Sequence, residues 1–170
     1  RLALAQLRNQ RMLDKKGFRI AAAPDEERLR KNFGFALTGA QERTWREILA
    51  DLSSDKAMNR LVQGDVGSGK TAVAMLALFA VARSGRQGAM MAPTEVLAAQ
   101  HYESAVKLME PLGVRGGFLA GSLTAKQRRD IYERIQLGLI DVIIGTHALI
   151  QEGVEYARLG LVITDEQHRF

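Results

Sequence analysis

LVQGDVGSGKTAVAML, residues 61–76, places Gly64, Gly67 and Gly69 close together, follows them with Lys70 and Thr71, and then turns apolar. Gly64 to Thr71 satisfies the spacing G-x-x-x-x-G-K-[ST]. The composition has a physical reason. Backbone N–H groups can close around an anion only where the loop is tight, partly left-handed and free of Cβ atoms. Small Ser68 keeps the same clearance. The loop runs into a predicted helix from Lys70 to Arg83, whose first N–H groups and dipole favour a phosphate. In such a loop Lys70 reaches the β- and γ-phosphates as a point charge, and the Thr71 hydroxyl ligates Mg²⁺. A glycine-rich turn with a surface lysine is the plainer alternative. The apolar RLVQ before the loop, read as a strand, and the helix after it supply the context that phosphate binding requires.

Beyond residue 60 the chain alternates short strands and helices. QGAMMA reads as a strand, and TEVLAAQHYESAVKLME as a helix stopped by Pro111. VRGGFLA is the next strand, before a helix opened by Thr124 and Gln127 at capping-box spacing. DVIIG and LGLVIT are nearly continuous apolar runs, which suit a parallel sheet covered on both faces. Right-handed crossovers bring the strand ends that precede helices to one edge, where a ligand sits. The expected fold is therefore α/β, a parallel sheet flanked by helices in three layers. Before residue 60, RLALAQLRNQRML reads as a helix and Asp25 as the N-cap of EERLRKN. From Thr38 another helix follows, with Trp45, Ile48, Leu49 and Leu52 on one face.

The composition narrows the classes. Of 170 residues none is cysteine, which excludes disulfides and thiolate metal sites and fits a reducing, cytoplasmic location. The longest apolar run, Ala72–Ala82, is too short to span a bilayer, so no membrane partner is expected. Net charge is +5, but six Lys or Arg against one Asp lie in residues 1–20, leaving 18 basic and 18 acidic residues in the remaining 150. The excess is a basic N-terminal arm, either solvated or phosphate-binding. A chain opening on Arg1 reads as a fragment of a longer protein. His101, His147 and His168 show no metal-ligand spacing.

A triphosphate loop needs an acid at a second strand end. LGLVITDEQH, residues 159–168, delivers Asp165 there as the expected Mg²⁺ partner, with Glu166 next to it to orient and deprotonate an attacking water. A solvated turn would also tolerate two acids. A nucleotide-controlled switch or scaffold, the competing class, has no need of Glu166, and no NKxD-type guanine-reading motif follows residue 145.

The order GDVGSGKT, APTEVLAAQH, GTHAL, DEQHRF resembles the superfamily 2 helicases over residues 33–170, and within them the DNA helicases that remodel stalled forks and branched recombination intermediates. GDVGSGKT also fits the transcription-repair coupling translocases, whose acidic motif reads DEEH, whereas Gln167 and LAGSLTAKQRR favour the branch-remodelling group. The resemblance implies a P-loop NTPase of RecA-like fold: a first motor lobe over 35–170, preceded by basic linker helices over 1–34, and a function in replication-fork rescue, recombination and repair. It implies ATP and Mg²⁺ as cofactors and forked or branched DNA as partner. A second lobe with the arginine finger, beyond Phe170, and a fork-wedge domain before Arg1 would complete the machine, so this piece is expected to be inactive alone.

Position by position, the resemblance makes Gly64, Gly67, Ser68, Gly69, Lys70 and Thr71 the phosphate cradle, and Lys70, Asp165 and Glu166 the catalytic set. Phe35 and Gln41, in FGFALTGAQ, fall where an aromatic residue and a glutamine read adenine; the proline often found before the second Phe is missing. Pro93, Thr94 and Glu95, with Gly145, Thr146 and His147, resemble the two motifs that grip the DNA backbone, and Thr94 reads equally as a plain N-cap. Gln167 and His168 resemble residues that couple the γ-phosphate to the DNA side. Lys126, Arg128 and Arg129 read as a solvated face rather than a DNA contact. Thr164 stands where an aliphatic residue is common.

Overall fold

The computed structural model describes residues 20–21, 24–53 and 70–165. The predicted helix at residues 1–13, the RLVQ strand and the loop from Gly64 to Gly69 lie outside the described residues, as do Glu166, Gln167 and His168.

Among the described residues two helices precede Lys70. In α1 (Glu26–Phe33) the N-cap position holds Asp25, as expected, but its side chain makes no capping hydrogen bond. The carboxylate instead receives the Arg83 guanidinium, with Nη2 to Oδ2 at 2.9 Å. A charge-assisted pair outweighs a neutral N–H donor here. Burial pushes the Asp25 carboxyl up, but the hydrogen bonds and charge of Arg83 leave it below its usual range. Helix α2 (Gly39–Leu52) opens on a complete capping box: Thr38 Oγ1 accepts from the Gln41 N–H, and Gln41 Oε1 accepts from the Thr38 N–H. Trp45, Ile48 and Leu52 are buried on the predicted face, and Leu49 is half-buried.

Helix α3 (Lys70–Arg83) has no polar face, and every residue from Ala72 to Val81 is buried. A helix apolar all round must be covered all round. The sheet lies on one side, and α1, α2 and α4 (Glu95–Met109) cover the other sides. The chain then runs through β1 (Gln87–Met91), α4, a 3₁₀ turn (Glu110–Leu112) containing Pro111, β2 (Gly116–Leu119), α5 (Ala125–Gln136), β3 (Val142–Gly145), a 3₁₀ turn (His147–Ile150) and β4 (Leu159–Thr164). Thr124 and Gln127 form the predicted capping box of α5.

The four described strands are all parallel, in the order β2-β3-β1-β4. One face presents Met90, Val142, Ile144, Leu161 and Ile163 to α1–α4. The other presents Ala89, Met91, Leu119, Ile143 and Val162 to α5 and the second 3₁₀ turn. Three layers result, as the apolar runs require. Between Gln87 and Gly88 the ladder to β4 slips by one residue, leaving Gly160 unpaired, so Leu159 and Leu161 face opposite sides.

Candidate functional site

Strand polarity decides where the chemistry can be. The short turn Ser84–Arg86 joins the end of α3 to the start of β1. Helix α3 therefore runs back along the sheet, with Lys70 toward the carboxyl ends of the strands. The same edge carries Asp165 directly after β4, Ala92-Pro93-Thr94 after β1 and Thr146-His147 after β3.

The backbone ladder continues one step past each strand and stitches these junctions together. Asp165 N–H donates to the Met91 carbonyl at 2.8 Å, Ala92 N–H to Gly145 at 2.9 Å, and Thr146 N–H to Leu119 at 3.2 Å. Neighbouring strands lie about 4.8 Å apart. Asp165 is thus one strand from the Pro93-Thr94-Glu95 junction and two from the Gly145-Thr146-His147 junction. The structure brings together the acid and both junctions singled out in the sequence.

Each junction has its own local cause. Thr94 Oγ1 accepts from the Leu97 N–H at 3.2 Å and caps α4, so the N-cap reading holds, and the hydroxyl keeps its proton and a second lone pair for a ligand. Glu95 Oε1 accepts from the Ser122 hydroxyl at 2.5 Å, which ties this junction to the loop after β2. Thr146 Oγ1 accepts from the Ala148 N–H at 3.4 Å and caps the second 3₁₀ turn. At Gly145 a Cβ would stand 1.9 Å from the Leu119 carbonyl oxygen. Glycine is required there by the close approach of β2, whatever else the position does. Pro93, Thr94, Glu95 and His147 are exposed, and Val96 beside them is 68% exposed. Of the predicted basic cluster, Lys126 and Arg129 are exposed, whereas Arg128 donates to the carbonyls of Gly121 and Leu123 and so closes the loop before α5.

Asp165 is buried, and its Oδ2 lies 2.7 Å from Nε2 of His101, itself buried on α4. Toward an ionised carboxylate, which only accepts, the imidazole donates through Nε2. Sequence reasoning passed over His101 because its partner is 64 residues away. Its place in APTEVLAAQH, seven residues after the capping Thr94, was the available signal. Thr164, the departure noted at the end of LGLVIT, is buried with no partner for Oγ1 among the described residues. Thr71 lies in the first turn of α3, half-buried. The carboxylate of Asp165 and the hydroxyl of Thr71 are the oxygen donors that a hard cation such as Mg²⁺ takes, so this chain's chemistry fits that ion.

The nucleobase candidates form a separate feature. Phe35 is 55% exposed and stacks on Phe33, with ring centroids 5.5 Å apart and planes 15° from parallel. A cavity of about 440 Å³ adjoins them, lined in part by Arg30, Gly34, Leu37 and Glu42. The capping box fixes the orientation of the Gln41 amide. Arg30 donates to Glu42 at 2.7 Å and to Glu26 at 2.8 Å; its guanidinium holds the Glu42 carboxyl below the usual range.

Comparison with known proteins gives a concordant picture. Residues 38–170 match the DEAD/DEAH box helicases. The chain is 60% identical over 136 residues to the ATP-dependent DNA helicase RecG of Streptococcus pneumoniae, covering 80% of this chain and 20% of that protein. It is 56% identical over 148 residues to the RecG of Bacillus subtilis, covering 86% and 22%. The chain therefore spans about a fifth of the length of the curated relatives it matches. Among solved structures, a RecG bound to a three-way DNA junction superposes with a TM-score of 0.80 at 44% identity, over 99% of this chain and 24% of that one. A Saccharomyces cerevisiae Dbp5 variant, solved with Nup159, Gle1, IP6 and ADP, shares the fold at TM-score 0.58 and 17% identity, over 88% of this chain and 48% of that one.

Proposed function

The chain belongs to the DEAD/DEAH box helicase family, and on that premise we propose that it is the first ATP-binding motor lobe of a RecG-type DNA helicase acting on forked or branched DNA. Residues 35–170 make up the lobe and 1–34 the linker helices before it. One observation carries the reading: Asp165 closes β4 on the edge that also holds both candidate DNA junctions and the start of α3.

The roles follow from that edge. Amides of Gly64, Gly67, Ser68 and Gly69 cradle the phosphates, and Lys70 meets the γ-phosphate charge. Asp165 and Thr71 would hold Mg²⁺, which would neutralise charge on the transferred phosphate. Glu166 orients the attacking water and accepts its proton. Adenine stacks on Phe35, whose other face is already held by Phe33, and Gln41 pairs with its edge. Pro93, Thr94 and Glu95, with Gly145, Thr146 and His147, face the DNA backbone. They do so through hydroxyls and N–H groups rather than net charge, which agrees with the neutral balance beyond residue 20. Gln167 and His168 carry the state of the nucleotide to the DNA. Phosphoryl transfer needs positioning and charge neutralisation; this lobe supplies one half, and an arginine from a second lobe supplies the rest.

The test is Glu166→Gln in the full-length protein. ATP hydrolysis should fall by about 10²-fold or more while nucleotide affinity stays within a few-fold. Undiminished turnover would remove Glu166 as the base and count against the motor reading.

A further inference from the structure

The contact between His101 and Asp165 has no part in the roles assigned above. Both side chains are buried, His101 at 3% exposure and Asp165 at 7%, and they meet at 2.7 Å through one carboxylate oxygen. Among the described residues no hydrogen bond reaches the other oxygen, Oδ1. The backbone of Asp165 is fixed independently by its N–H bond to Met91. With the main chain held by β1 and Oδ2 held by the imidazole, one carboxylate oxygen is left for a cation. Ligating carboxylates are commonly held in this way by a second group behind them.

His101 also belongs to a particular helix. Helix α4 starts at Thr94, whose junction is exposed at the carboxyl edge. His101 follows seven residues later, two turns or about 10 Å along the axis. A rigid helix therefore has its first N–H groups at the candidate DNA surface and an imidazole on the candidate metal ligand. Lateral movement of the helix start must move the donor on Asp165.

We propose that His101 is a positioning residue, which orients Asp165 toward Mg²⁺ and mechanically joins that carboxylate to the DNA-facing start of α4. The proposal rests on the reading of Asp165 as a magnesium ligand. The alternative is a buried polar pair that serves folding alone.

The experiment uses the full-length protein, a fluorescent non-hydrolysable ATP analogue, and titration with Mg²⁺. His101→Leu fills the site without a donor, and His101→Gln returns an N–H near the place of Nε2. In His101→Leu the Mg²⁺ midpoint for analogue binding should rise about tenfold. Affinity in EDTA should stay within about twofold, and the shift of midpoint on adding branched DNA should shrink. His101→Gln should recover most of the wild-type midpoint. An unchanged midpoint in folded His101→Leu overturns the proposal. So does an equal loss of affinity with and without Mg²⁺, or a His101→Gln variant no better than His101→Leu. Asp165→Asn separates the two ideas. If it leaves the midpoint unmoved, Asp165 is no ligand and both readings fall; if it moves the midpoint and His101→Leu does not, only the role of His101 falls.

Discussion

The two edges of one sheet are built on opposite rules. At the amino edge, Gln87 is buried and its amide is spent on the fold: Nε2 donates to the carbonyls of Ile135 at 3.1 Å and Ile140 at 2.9 Å, and Oε1 accepts from the Arg158 N–H at 2.9 Å. Beside it Arg115 grips Asp141 with two guanidinium nitrogens, at 2.9 and 3.1 Å. At the carboxyl edge the side chains do less. Among the described residues Thr94 and Thr146 each spend only a lone pair on a cap, Asp165 takes a single side-chain bond, and Pro93, Glu95 and His147 remain exposed. The backbone there is nevertheless held, strand to strand, by the extended ladder. The amino edge is held by side chains that tie loops together. The carboxyl edge is held by main chain, which leaves its side chains for a ligand.

Two substitutions probe that contrast and a third sets a baseline away from both edges, in falling order of effect. Gly145→Ala drives a Cβ to 1.9 Å from the Leu119 oxygen, so β2 and β3 must part and the Thr146 N–H bond must break. A loss of about 3 kcal/mol or more in unfolding free energy, or an insoluble product, is expected by denaturant titration. A soluble variant with wild-type stability would show that the carboxyl edge does not depend on main-chain closeness. Gln87→Leu comes next. It removes a donor from the carbonyls of Ile135 and Ile140 and the acceptor of the Arg158 N–H; since the Ile135 carbonyl keeps the Gly138 N–H, the change should cost roughly 1–3 kcal/mol. Nucleotide affinity measured on the folded fraction should not change. A selective loss of nucleotide binding would join the edges functionally and end the distinction between them.

The smallest effect lies off both edges, in the Arg30–Glu42 pair between α1 and α2. Arg30 holds the Glu42 carboxyl below its ordinary value of 4.5. A depressed folded value means the pair stabilises the protein above that pH and its contribution fades as pH falls through the folded value. Glu42→Gln should therefore flatten the acid side of a stability–pH curve by less than about 1 kcal/mol, since the pair is partly solvent-screened. An identical acid slope in the variant would remove this pair from the account.

How much of this was legible before folding varies by feature. The capping box at Thr124–Gln127, the helix start at Thr38 and the bounds of α3 were readable, because each depends on residues close in sequence; the second box, at Thr38–Gln41, emerged only in the structure. The continuous apolar runs of β3 and β4 announced a doubly covered sheet. Asp25 does sit at the N-cap of α1, but that its side chain would not cap was illegible, because Arg83, 58 residues away, claims its carboxylate. Gly145 was read for its motif alone, since the need for glycine comes from a carbonyl on another strand. His101 looked like one more helix residue.

By itself the sequence determined the order of the described strands and helices, where most of those helices begin, and which strand would lead into Asp165. Those properties arise from short-range hydrogen bonding and from the period at which apolar residues recur. Only the tertiary structure decided the strand order β2-β3-β1-β4, the placing of Asp165 beside the two junctions, and the pairing of that carboxylate with His101. Contacts of this kind join residues far apart along the chain, and they exist only once the whole core has packed and brought the strand ends to a common edge.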